Sequence, residues 1–335
     1  MSPILKVFRP RVVCALLLCL SGAPPLSAQG NAATIAGTVT DPSRAAIPDV
    51  TVTAKNLGTD ISQTVVSDSQ GRFRIPQLGL GNYEIRASKM GFSTVVRQGV
   101  TLTVGSESVI DFALPVGQAQ QTVTVEGQVS QVETSSAAVS NLVEPTQMRE
   151  LPLNGRNFEQ LLTLAPGVQQ LTAQASNRYG TQGNYSVAGS RGEGMLYLLD
   201  STNIQGFFNH GTGSGATGAS LGVEAISEFQ TLSNTYSAQF GGGGAVINAV
   251  SKSGTNSFHG SAYEFLRKSK LDARSFFDTL RKPGATEADV PAFRRNQFGG
   301  SVGGPIKKDK AFIFVNYEGI RQLLGQTQPS VCSRS

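Results

Sequence analysis

The sequence predicts a mainly β chain, and three observations predict it. Gly supplies 38 of the 335 residues and only 15% are Asp, Glu, Lys or Arg, against about 25% charged residues in an ordinary soluble domain. From residue 33 onward, apolar residues alternate with polar ones in short runs between turn signals, the period-2 pattern of half-buried strands. Near the C-terminus the alternating runs lengthen and carry aromatic residues. The expected order is a seven-stranded sandwich, then a mixed α/β unit, then the first few strands of an incomplete β-barrel.

Residues 1–28 stand apart. Lys6, Arg9 and Arg11 give a positive start, Val12–Leu20 is an apolar run, and Pro24-Pro25 precede the small-residue stretch Leu26-Ser27-Ala28. This is the pattern of a secretory signal peptide, with cleavage expected after Ala28. The apolar run is too short for a ~20-residue membrane span. No later stretch is long enough either, so entry into a membrane would require a barrel. The net charge of +5 falls to +2 without those three cations, leaving 25 basic against 23 acidic residues. That balance is no nucleic-acid footprint, which needs a clustered basic face. Cys14 and Cys19 lie in the apolar run and Cys332 near the end, so no disulfide framework is expected. Two histidines, His210 and His259, make a zinc site or a His-dependent triad a poor expectation. No cofactor and no catalysis are expected.

Residues 33–115 carry the alternating runs TIAGTVT, VTVTAKN and GNYEIRAS, a turn at Asp68-Ser69-Gln70-Gly71, and a closing run Val109–Leu114. About seven strands with turns every 8–12 residues indicate an antiparallel sandwich. Tyr83 and Phe73 are expected in its core. Residues 116–128 form a polar linker that ends in the β-prone run Thr122, Val123, Thr124 and Val125. Two readings stand here. The run is the first strand of the next unit, or it is an extended segment that a partner captures by strand addition.

Residues 129–255 mix element types. Asn157–Leu164 is helix-like and is stopped by Pro166-Gly167. Leu196–Leu199 and Ala245–Val250 are strand-like, and Val223–Phe229 has apolar residues at helical spacing. Asp200 ends a strand without clustered carboxylates, which favours turn capping over metal binding. Residues 256–335 hold three longer runs: Asn256–Leu266, Asn296–Gly304 and Ala311–Gly319. Alternation with aromatics and short polar turns is the pattern of an outer-membrane barrel. A plugged transporter barrel has about 22 strands of ~9–11 residues, so this segment is expected to be only its beginning. The tail QTQPSVCSRS is expected to mark a truncated reading frame.

Several phrases carry a resemblance. "IAGTVTDPSRAAIPDVTVTAKN" and "SDSQGRFRIPQLGLGNYEIRASKMGF" resemble the carboxypeptidase regulatory-like domain, which implies an accessory sandwich of the transthyretin-like or Ig-like kind found in exported proteins. "LPLNGRNFEQLLTLAPGV", "YSVAGSRGEGMLYLLDSTNI" and "VEAISEFQTLSNTYSAQFGGGGAVINAVSKSGTN" resemble the plug of TonB-dependent outer-membrane receptors. With "FHGSAYEFLR" beyond them, the order is similar to the Oar-like branch. The resemblance implies a signal peptide at 1–28, a regulatory-like domain at 33–115, a linker at 116–128, a plug at 129–255 and a barrel start at 256–335. It also implies location in the outer membrane, the TonB energy-transducing protein as partner, and Thr122, Val123, Thr124 and Val125 as the TonB box. The ligand would be an unknown nutrient, with carbohydrate one option. The competing expectation is an exported carbohydrate- or peptide-binding sandwich at the cell surface.

Two motifs are set aside. Gly213, Gly215 and Gly218 spell GxGxxG but have no preceding strand, which a dinucleotide site needs. Gly299, Gly300, Ser301, Val302 and Gly303 spell GxSxG, but Pro305 follows and both histidines precede Ser301, unlike a nucleophile elbow.

Overall fold

The computed structural model describes residues 32–117, 122–126, 138–151, 153, 158–170, 185–190, 194–205, 222–241, 244–273 and 290–325. The expected signal peptide, the Gly-rich loop with its GxGxxG spacing and the tail around Cys332 lie outside them.

The first unit is a two-sheet sandwich. One sheet holds β1 (Ala33–Thr40), β4 (Arg72–Leu78), β7 (Glu107–Val109) and β8 (Phe112–Ala113), with β1 central. The other runs β3 (Ser62–Val66), β2 (Thr51–Asn56), β5 (Gly81–Ser88), β6 (Thr94–Leu102) and β9 (Thr122–Glu126). Alternate residues turn inward, as the period of a strand demands. Ile35, Val52, Ile75, Ile85, Leu102 and Phe112 meet in the core. Each such side chain contributes roughly 1.5–3 kcal/mol by leaving water. Phe73 and Tyr83 are buried there as expected, and the Phe73 ring lies 6.0 Å from that of Phe112.

The closing run, expected as one strand, is split in two. Between β7 and β8 the Asp111 carboxylate takes over the pairing. It accepts from the Thr38 backbone N–H at 2.8 Å and the Thr38 hydroxyl at 2.7 Å. Gly37 makes this possible, because a Cβ there would sit 1.9 Å from the Ile110 carbonyl oxygen.

The second unit is a five-stranded sheet ordered β10 (Val139–Val143), β15 (Ile226–Asn234), β16 (Val246–Ser251), β13 (Leu196–Leu199) and β14 (Thr202–Asn203). A two-stranded ribbon, β11 (Val168–Gln170) with β12 (Tyr185–Val187), lies beside it. Helix α1 (Pro145–Glu150) and the 3-10 helix Phe158–Leu164 cover its core, where Met148, Leu162, Tyr185, Phe229 and Ile247 are buried. One expectation is corrected here. The helical spacing at Val223–Phe229 belongs to a short 3-10 turn, Val223–Ala225, followed by strand β15. A register shift between Ile226 and Glu228 explains the spacing, since it breaks the alternation and leaves Ile226 and Phe229 on the same buried side.

The third unit is an antiparallel sheet of β17 (His259–Lys268), β18 (Phe293–Lys307) and β19 (Ala311–Leu324). The strands are 10, 15 and 14 residues long, enough to cross a bilayer at a tilt. Val302, Ile313, Val315 and Tyr317 point outward and are exposed, whereas Gln297, Ser301, Asn316 and Glu318 alternate to the opposite side. The opposite side also carries Phe312 and Phe314, so the outward face is apolar and the inner one mixed, with its polar residues placed as those of a strand between lipid and lumen. Among the described residues the barrel is not closed.

Candidate functional site

Residues 122–126 form β9, but the strand does not join the plug-like sheet. It pairs in parallel with β6, from Thr94 opposite Thr122 to Gln98 opposite Glu126. The expectation of a first strand of the second unit is therefore corrected: the run extends the sandwich instead. The reason is geometric, since β6 is the last sandwich strand of its sheet and its edge is open to the chain that follows.

The sandwich meets the second unit through a buried carboxyl. Glu228 of β15 is 6% exposed and its Oε1 accepts from the Val104 backbone N–H. Burial pushes this carboxyl up to about 7; the Val104 hydrogen bond opposes the shift and the Glu144 charge adds to it. A cleft of about 960 Å³ opens beside it, lined by Gln77, Thr101, Glu144, Asp200 and Lys252 among others. Asp200 accepts from the Ser251 N–H at 3.0 Å and the Ser251 hydroxyl at 2.7 Å, contacts that join the ends of β13 and β16 rather than cap its own turn.

Asn256, at the start of the third unit, ties the sandwich to the turn between the barrel strands. Its backbone N–H donates to Gly58 of the sandwich at 2.8 Å, and its side-chain amide donates to Asp60 at 3.2 Å and Asp309 at 2.7 Å. Its Oδ1 accepts from the Asp309 N–H at 2.9 Å. Asp309 lies in the short β18–β19 turn, so the sandwich sits at the short-turn end of the barrel strands. In outer-membrane barrels the short turns are periplasmic.

The second unit also seats on the inward faces of the barrel strands. Ser261 of β17 donates to Glu224 at 3.0 Å, and Lys252 lies 3.5 Å from the same carboxylate. Ser261 also meets Ser301 of β18 at 3.0 Å. Gln297 donates to Glu318 across β18 and β19. Gly254 permits the close approach at the crossing from plug-like unit to barrel, where a Cβ would lie 2.6 Å from the Gly304 carbonyl oxygen. Deeper in, Glu159 is fully buried, and burial together with its charge raises the hydroxyls of Tyr185 and Tyr197 well above their usual range. Among the described residues, no group of three or more His, Cys, Asp or Glu could hold a metal ion. No described helix is long and apolar enough to cross a membrane.

Sequence reasoning missed Glu224, Glu228 and Asn256 as contacts. One signal was available: two acidic residues interrupt the apolar run VEAISEF, and a carboxylate inside such a run needs a buried partner.

Comparison with known proteins follows the same divisions. The family described as carboxypeptidase regulatory-like domain matches residues 34–115, the TonB-dependent receptor plug domain matches 131–246, and an outer membrane beta barrel domain matches 250–332. The chain is 30% identical over 304 residues to the TonB-dependent transporter Oar of Myxococcus xanthus. That alignment takes in 87% of this chain but 27% of the relative, so the chain spans about a quarter of its length. Among solved structures, it is similar to the siderophore receptor PirA of Acinetobacter baumannii, at 22% identity and a TM-score of 0.39 over 56% of this chain and 25% of that one. The ferric enterobactin receptor PfeA of Pseudomonas aeruginosa gives 15% identity and a TM-score of 0.36 over 52% and 24%. From the sandwich, the sheet seated on strands with polar inner faces, and the three matches in this order, the chain has the domain series of an Oar-like TonB-dependent outer-membrane receptor.

Proposed function

We propose that this chain acts as the front part of a TonB-dependent transporter that brings a bulky nutrient across the outer membrane. The plug-type sheet gates the lumen, and energy arrives through the TonB protein. The observation that carries this reading is the seat of the plug on the barrel strands, Glu224 of the plug-type unit against Ser261 of β17. A domain held by a few polar contacts inside a polar wall is one that a pull can shift. We assign it no catalytic step.

The contact for TonB in this proposal is Thr122, Val123, Thr124 and Val125. Support comes from their β-prone composition, their place between sandwich and plug, and the outer edge of β9, which is unpaired among the described residues and of the kind a partner's sheet takes by strand addition. The test is a binding assay between the chain, held in detergent, and the periplasmic C-terminal domain of a TonB protein. Deleting residues 122–125 should abolish binding; undiminished binding would place the contact elsewhere. Residues 1–28 are proposed as a cleaved signal peptide, on their charged, apolar and small-residue regions. N-terminal sequencing of the exported protein should begin at Gln29, and retention of Met1 would exclude this.

A sandwich that binds carbohydrate at the cell surface finds no support in the aromatic residues. All four within 33–115 are engaged: Phe73, Tyr83 and Phe112 are buried in the core, and Phe92 packs against it. None stands free to stack on a sugar ring.

A further inference from the structure

We propose that the β2–β3 turn of the sandwich is a lipid contact: its apolar tip lies on the periplasmic leaflet of the outer membrane, where it takes anionic phospholipid. This rests on the reading of β17 to β19 as barrel strands whose short turn is periplasmic.

The hydrogen bonds of Asn256 fix where this turn stands. They reach Gly58 and Asp60 on one side and Asp309 on the other. Asp309 belongs to the short turn between β18 and β19, the level at which barrel strands leave hydrocarbon for the periplasm. The turn Leu57–Ile61 is therefore held at the membrane surface. It is closed by the Asn56 N–H donating to the Ile61 carbonyl and the Asp60 N–H donating to the Asn56 carbonyl, each at 2.9 Å. It also packs on the chain that enters β17, since a Cβ on Gly58 would stand 3.9 Å from the Thr255 Cβ.

What the turn presents there is apolar. Leu57 and Ile61 are each about half exposed, and neither belongs to the sandwich core. Single exposed apolar residues are ordinary, but this pair has neighbours of the same kind. Phe258, two residues beyond Asn256, and Ile306 are both exposed. A Cβ on Gly304 would strike the Phe258 ring, and Gly304 pairs with Ile313 of the outward face, so Phe258 lies on that face. An aromatic residue at the end of a lipid face is where a barrel carries its girdle. The apolar tip thus continues the lipid face of the sheet. Charge then selects the lipid. Lys307, Lys308 and Lys310 are exposed at the β18–β19 turn, and Lys55 stands beside the tip, 2.6 Å from Asp60. Four lysines outweigh Asp60 and Asp309. Lysine lays its apolar stem along such a surface and keeps its charge in water, and basic residues beside a bilayer favour anionic lipid.

The sequence contains no Trp, so a single introduced Trp reports on one place. Ile61→Trp and Leu57→Trp are made separately in the 335-residue chain, which is held in mixed micelles of detergent with phosphatidylglycerol brominated on its acyl chains. Phe258→Trp reports on the barrel face. Met90→Trp reports on water, because Met90 is exposed and lies just beyond Ser88, which pairs with Thr51 at the far end of β2. The expected result is that bromine quenches most of the emission of both turn reporters and of Phe258→Trp but leaves Met90→Trp bright. Brominated phosphatidylcholine should quench the turn reporters less, and Lys307→Gln, Lys308→Gln and Lys310→Gln together should remove that difference. Turn reporters that emit as in water and stay unquenched overturn the contact. Blue-shifted emission without quenching overturns it too, since protein then covers the turn. Quenching of Met90→Trp as well would show a micelle wrapped around the whole sandwich and no site at the turn. Equal quenching by the two lipids overturns the choice of an anionic one. If Phe258→Trp itself escapes quenching, the barrel reading of β17 to β19 fails, and the lipid contact falls with it for that separate reason.

Discussion

Glu228 shows how one side chain joins two domains. Its carboxyl accepts from the Val104 N–H across the sandwich–plug boundary, and burial raises it from 4.5 to about 7. The sign of the consequence follows from proton counting. Between those two values the folded form holds a proton that the unfolded chain has released, so stability falls as pH rises through the window. At about 1.4 kcal/mol per unit, the loss is on the order of 3 kcal/mol. Glu228→Gln keeps an acceptor for Val104 but cannot titrate, so it should flatten the profile. Urea midpoints followed by circular dichroism across the window would show this, and an unchanged slope in the variant would assign the pH dependence to another group.

At the scale of elements, the sandwich is the unit with its own core. A polypeptide of residues 32–116 should fold alone and unfold in one cooperative transition, as single domains of this size do. Within it, Gly37 of β1 is the tightest position, facing the Ile110 carbonyl at the split between β7 and β8. Gly37→Ala forces backbone against backbone, so it should cost at least the 1–3 kcal/mol or so of an overpacked core. Denaturant unfolding of the two fragments side by side measures the difference. A neutral Gly37→Ala would mean that β8 swings away without loss, and an unstructured parent fragment would remove the sandwich as an independent unit.

For the whole molecule, the open sheet governs behaviour in water. Val302, Ile313, Val315 and Tyr317 are 53%, 48%, 50% and 64% exposed on one face. β17 and β19 are unpaired on their outer edges among the described residues. In hydrocarbon each unmatched backbone group costs several kcal/mol, and in water such edges pair with other chains. A polypeptide of residues 29–255 should therefore be markedly more soluble than one of residues 29–335. Comparing soluble fractions at matched expression decides it. Equal solubility would show that the outward face is not a lipid face.

Much of this was legible before any coordinates. Alternation in TIAGTVT and GNYEIRAS pointed to strands and their inward faces, and the run AFIFVNYEG to a strand, because side-chain direction in a strand follows parity alone. The domain series was legible in another way, through the resemblance of the ordered phrases to known domain families. What the sequence could not supply were the contacts between distant positions. Parity breaks at a bulge, so VEAISEF had the spacing of a helix and is a short 3-10 turn that runs into a strand. A polar residue has no visible partner in sequence, so Glu228 met Val104, and Asn256 met both Gly58 and Asp309, only once the chain had folded. The same holds for Thr122 to Val125. Their composition determined that they would form a strand, but which sheet receives it depends on which edge lies open beside it. The tertiary structure decided that in favour of β6.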